Sequence, residues 1–143
     1  MPVDNAFDLQ RFVDAQDDGN TYATALREIR AGRKQSHWMW FVFPQIAGLG
    51  KSSMAQHYAI SGRAEAVAYL AHPVLGRRLR ECATALNEIP NTDPVEVFGA
   101  VDAQKLQSSM TLFDRAAPDE PVFRAVLEKF FAGETDDGTS GRL

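Results

Sequence analysis

One cysteine, Cys82, stands in the whole chain. A lone thiol excludes a disulfide framework and leaves no thiolate cluster for zinc or an iron–sulfur centre. Long hydrophobic runs are missing as well, since no stretch approaches the roughly 20 apolar residues of a spanning helix. The opening MPVDNAFDLQ has neither a basic n-region nor an apolar h-region. The expectation is a chain of the reducing cytoplasm with no membrane role. An excess of positive charge is also lacking: 15 Lys and Arg against 19 Asp and Glu give a net charge of -4. That argues against general nucleic-acid binding, because neutralising phosphates requires a cationic surface.

What is present is uneven charge and clear helical periodicity. Asp4, Asp8, Asp14, Asp17 and Asp18 make the start acidic, whereas Arg27, Arg30, Arg33, Lys34 and Lys51 make the next segment basic. The basic segment is either a solvated helix face or an attraction for a phosphate or carboxylate. With 143 residues the chain can bury about 70% of its unfolded surface in one core.

Leu9, Phe12 and Val13 follow helical spacing from Phe7, with Asp4 or Asn5 as N-cap. Tyr22, Ala25, Leu26 and Ile29 mark a second helix that closes at Gly32. The aromatic run His37 to Phe43 stops at Pro44, and Ser52 caps a short helix through Tyr58. Ser61 to His72 reads as another helix. Pro73 then opens the most amphipathic one, with Leu75, Leu79, Cys82, Ala83, Leu86 and Ile89 on a single stripe. Asp93, Pro94 and Glu96 begin a short helix closed by Gly99. Asp102 is expected to cap the next, through Leu106, Met110 and Phe113, and Asp119 with Pro121 opens the last.

WMWFVF has the composition of either a buried strand or a buried helix. With no second strand to pair with, its ladder groups would go unsatisfied, so a buried helix is expected. The reading is therefore all-α: one domain over residues 1–132 of about six to eight helices, several short. Residues 133–143, GETDDGTSGRL, lack an apolar anchor and are expected to form a disordered acidic, Gly-rich tail.

Chemistry concentrates in RKQSHWMWFVFPQIAGLGKSS. Trp38 and Trp40 supply flat apolar area, Lys34 a cation and Gln45 a polar edge, a combination that suits a stacked heteroaromatic ligand or simply a core. Gly50, Lys51 and Ser52 look like the end of a P-loop, but Gln45 stands where its first glycine belongs and no parallel sheet is predicted. A backbone nest for an anion at GLGKSS is the remaining reading. His37, His57 and His72 match no metal-ligand spacing, so no metal and no cofactor is expected. His37 beside the tryptophans is either an acid–base group or a structural histidine. Lys105, Ser108 and Ser109 share a helical neighbourhood, which formally allows a Ser–Lys acyl-transfer pair, although no oxyanion-hole signature accompanies them.

FDLQRFVDAQ, RAGRKQSHWMWFVFPQIAGLGKSS, YLAHPVLGRRL and KLQSSMTLF, in that order, resemble the bacterial domain-of-unknown-function 1810 family. The resemblance runs from about Phe7 to Phe131 and implies an all-helical fold; it brings no activity. Members are sometimes labelled calpastatin, but a calpain inhibitor would be an extended chain rather than a core-forming one. FVDAQ and HPVLGRRL are also loosely similar to pieces of the NADAR superfamily, linked to NAD and ADP-ribose metabolism, whose tryptophan-glycine segment has no counterpart here.

Two functions follow as expectations. The first is a pocket for a small anionic or nucleotide-like ligand, enzymatic or not, where HWMWFVFPQ meets KLQSSMTLF, using Lys34, His37, Trp38, Trp40, Gln45, Lys51, Lys105, Ser108 and Ser109. The alternative is a non-catalytic helical protein-interaction module in which those groups satisfy one another and an apolar patch lies elsewhere.

Overall fold

The apolar stripes assemble into ten α-helical segments among residues 7–143, the part of the chain that the computed structural model describes. In chain order they are α1 (Gln10–Asp17), α2 (Thr21–Arg30), α3 (Met39–Val42), α4 (Ser53–His57), α5 (Arg63–Ala71), α6 (Leu75–Glu88), α7 (Pro94–Phe98), α8 (Ala100–Ala116), α9 (Pro121–Phe131) and α10 (Asp137–Ser140). That exceeds the expected count, and α10, a single turn too short to show a period, stands in the segment expected to be disordered. The caps proposed at Asp4 and Asn5 lie outside the described residues, and α1 itself starts only at Gln10.

α6 buries its predicted stripe completely from Leu75 to Leu86, against α2, α5 and α9. α8 is the central element and packs on α5, α7, α9 and α10. Its middle, Leu106 to Asp114, is buried except for part of Gln107, so the helix is enclosed on more than one side and its apolar stripe is diluted by Ser108, Ser109 and Thr111. Small side chains there let neighbouring elements approach closely.

Three expectations need correction. WMWFVF is helical only over Met39–Val42. Pro44 disfavours helical geometry at the residue before it, and Phe43 turns to φ -124, ψ 73. The carbonyl of Phe41 that this break exposes is met by Gln16, whose buried amide donates to it at 2.7 Å. Second, Asp102 and Asp119 do not cap. α8 begins after Gly99, whose φ of 82 favours glycine, and Asp102 sits inside the first turn; α9 follows Glu120.

Third, the segment after residue 132 is folded. Asp136 Oδ2 accepts from the backbone N–H of Thr139 at 2.9 Å and from its hydroxyl at 2.7 Å, which closes α10 and buries Thr139. Gln107 donates to the carbonyl of Glu134 at 3.0 Å, and the N–H of Asp136 donates to Thr111 Oγ1 at 3.0 Å. Polar anchoring onto α8, with Leu143 packed against the core, holds a segment that offers no apolar stripe.

The path from Gln45 to Ile60 is closed at its neck. Ile46 and Ile60 form one isolated parallel bridge, with Ile60 N donating to Gln45 O and Ala47 N to Ile60 O, both at 2.8 Å. Arg11 anchors the far side, donating to the carbonyls of His57 at 2.9 Å and Ala59 at 2.8 Å and to Glu65 Oε2 at 3.0 Å.

Candidate functional site

The first turns of α8 present Val101, Gln104, Lys105 and Ser108 on one face, the three-and-four spacing that aligns side chains along a helix. Facing them are Gln45, positioned by the closed neck, and Leu49 with Gly50 from the loop beyond it. Gly50 passes so close to α4 that a Cβ there would lie 2.4 Å from Ala55 Cβ. Asp136, from the cap of α10, completes the wall. Between them is an open cleft of about 220 Å³.

A chain of alternating charges ties this cleft to the tryptophan segment. Lys105 Nζ lies 5.1 Å above the Trp40 ring and 3.5 Å from Asp102 Oδ1. Asp102 Oδ2 lies 2.9 Å from Lys34 Nζ, which sits 5.1 Å above the Trp38 ring. Lys34 also donates to the carbonyl of Ser36 at 2.6 Å and is nearly buried, so its charge is committed inside the protein. Lys105 is different: its ammonium makes no hydrogen bond to a described residue, and its ion pair with Asp102 is long, at 3.5 Å.

Gln45, Lys105 and Ser108 therefore come together, with Trp40 beneath Lys105. The other candidates do not join them. Trp38 is enclosed, its indole N–H donating to Glu28 Oε1 at 2.9 Å. His37 and Lys51 are exposed and line no part of the cleft. Ser109 points into the core, where its hydroxyl has no hydrogen-bond partner among the described residues. Ser108 donates to the carbonyl of Gln104 at 3.1 Å, and neither serine is hydrogen-bonded to Lys105, so no Ser–Lys pair is assembled. Ser52 accepts from the N–H of Ala55 at 3.1 Å, an ordinary N-cap at GLGKSS.

Two residues that matter are absent from the sequence reading. Glu28, on α2, is buried and accepts four hydrogen bonds: the N–H groups of Gln35 at 2.8 Å and Ser36 at 2.9 Å, the Ser36 hydroxyl at 2.6 Å, and the Trp38 indole. Burial alone would raise its pKa, but the Ser36, Gln35 and Trp38 donors outweigh that and hold the carboxyl at about 2. An acid next to Ile29 on the apolar face of α2 was the available signal. Asp136 is the other, and its signal was the Asp-x-x-Thr spacing of a capped turn. Among the described residues no group of three or more His, Cys, Asp or Glu side chains is arranged to hold a metal ion, and no helix is long and apolar enough to cross a membrane.

The family model described as a protein of unknown function, DUF1810, matches residues 6–143. The chain belongs to the DUF1810 family. A similar fold is seen in the crystal structure of the conserved hypothetical protein Rv1873 from Mycobacterium tuberculosis, which is 49% identical, with 96% of each chain covered and a TM-score of 0.92. No curated protein matches. The all-helical architecture of this DUF1810 chain thus agrees with the family resemblance, and the cleft beside α8 brings Gln45, Lys105, Ser108 and Asp136 to one hollow.

Proposed function

We propose that the chain binds a small anionic metabolite, nucleotide-like or ADP-ribose-like in its charged portion, in the cleft between Gln45 and α8. One observation carries the reading: Lys105 and Gln45 line the same hollow, their side chains make no hydrogen bond to a described residue, and Lys105 keeps only a long ion pair with Asp102 at 3.5 Å. Polar groups that converge unpaired on a concave surface are what a ligand would satisfy. At about 220 Å³ the cleft is smaller than the ~300–1,000 Å³ of pockets that enclose a whole drug-sized ligand. It suits a phosphate-bearing portion, with the remainder lying over the open face along Val101 and Gln104.

The test is thermal denaturation with AMP, ADP, NAD, ADP-ribose and phosphorylated sugars, on the wild-type chain and on Lys105→Ala and Gln45→Ala. A ligand present at 100 times its Kd stabilises by about 2.7 kcal/mol, a rise in Tm on the order of 10 °C at this size. No shift with any compound, or shifts that both variants leave unchanged, overturns the reading.

A helical interaction surface is the second reading, favoured by Val95 and Val101. They are 51% and 70% exposed on either side of Gly99 and are the most exposed large apolar side chains among the described residues. It predicts concentration-dependent association in sedimentation that Val101→Lys abolishes.

A further inference from the structure

We infer that the ligand of this cleft is dipolar, carrying an anionic group toward Lys105 and a cationic or N–H donor group toward Asp136. The inference rests on the small-molecule reading above and specifies its ligand. Lys105 and Asp136 are the two charged residues that line the cleft, one from α8 and one from the C-terminal segment. They form no ion pair with each other. Asp136 Oδ2 is fully engaged by Thr139, whereas Oδ1 accepts no hydrogen bond from any described residue. On the opposite wall the ammonium of Lys105 makes no hydrogen bond to a described residue, and its ion pair with Asp102, at 3.5 Å, leaves donors for a guest.

A bare anion in this space gains from Lys105 but meets the carboxylate of Asp136, and in a partly enclosed cleft the two terms are comparable. Both terms become favourable when the guest carries opposite charges at its two ends. The carboxylate then acts as a selector: it rejects pyrophosphate and other multiply charged anions that offer no compensating donor, and it rewards a primary amine or an amino-substituted ring. Gln45 and Gln104, uncharged and able both to donate and to accept, line the same cleft without biasing this choice.

The experiment is a protein-observed NMR titration of the full chain with O-phosphoethanolamine and with ethyl phosphate, which differ by the amino group. It is repeated on Asp136→Asn, which retains an N-capping side chain and so the α10 turn, and on Lys105→Gln. The expected result is binding of O-phosphoethanolamine about tenfold tighter than ethyl phosphate by the wild-type chain, a preference of ~1.4 kcal/mol. In Asp136→Asn that preference falls to roughly twofold or less, and in Lys105→Gln both affinities drop by about tenfold. Equal binding of the two phosphates, an unchanged preference in Asp136→Asn, or no perturbation of the Gln45, Lys105 and Asp136 amides by either probe overturns the inference. Equal binding that Lys105→Gln weakens leaves the anion-binding function standing without the dipolar selectivity, and a nucleotide panel without effect together with no binding of either phosphate removes that function as well.

Discussion

Replacing Glu28 with glutamine keeps the side chain's shape and removes the charge that four donors converge on. Hydrogen bonds to a charged acceptor contribute about 1.5–3 kcal/mol each, and the introduced amide would also turn a donor toward donors, so Glu28→Gln is expected to cost ~2–3 kcal/mol in urea unfolding followed by tryptophan fluorescence. The pH dependence has a definite sign. The folded carboxyl lies at about 2 against an ordinary 4.5, so its stabilisation is fully present above the ordinary value and is lost as pH falls from there toward 2. Over that interval the urea midpoints of wild type and Glu28→Gln converge. Ser109 makes the opposite case. Its hydroxyl is enclosed with no partner, so Ser109→Ala is expected to stabilise by about 1 kcal/mol and raise Tm by a few degrees. A destabilised variant would mean that the hydroxyl does hold a partner in solution. The two serines read alike in the sequence, yet one residue of helical rotation sends Ser108 to the cleft and Ser109 to the core.

Helices pair through their ends as much as through their stripes. The last carbonyls of α6 have no Gly C-cap; instead Lys129 reaches across from α9 and donates to Leu86 O at 2.7 Å and to Ile89 O. Lys129→Met keeps the packed stem and strips the donors, leaving both carbonyls with one partner fewer at the α6–α9 contact. The expected loss is about 1–3 kcal/mol in chemical denaturation, with little change in helix content by circular dichroism. Such partners explain which elements were legible beforehand. α2, α5, α6 and α9 could be read because their apolar spacing persists for two or more turns. The caps of α8 and α9 could not, because Asp102 is drawn to Lys34 and Lys105 and Glu120 to Arg80, pairings that local sequence does not announce. α3 is one turn for a local reason, Pro44; the lack of a partner strand argues against a strand there but does not set the length of a helix.

Across the whole molecule, the last eleven residues decide how the cleft is walled. Hydrogen exchange tests their docking: the amides of Asp136, Thr139, Ser140 and Gly141, each donating to a partner within the protein, are expected to show local opening free energies on the order of 1–3 kcal/mol. Exchange at the rate of an unstructured peptide would restore the disordered-tail expectation and remove Asp136 from the cleft. The meeting of Gln45, Lys105 and Ser108 was legible because two chemically rich segments had to share one core; the fourth wall was not, because polar anchoring leaves no periodic trace. The pinched neck between Ile46 and Ile60 has a practical corollary. Between those two isoleucines the chain is held at the neck and on its return, where Arg11 binds the carbonyls of His57 and Ala59, while α4 contributes no buried side chain. Since doubling a loop's length costs only about 0.6 kcal/mol, a peptide tag spliced in between the exposed Lys51 and Ser52, ahead of α4, should leave the scaffold's melting behaviour nearly intact, giving a handle for immobilisation or labelling on an otherwise tightly knit protein.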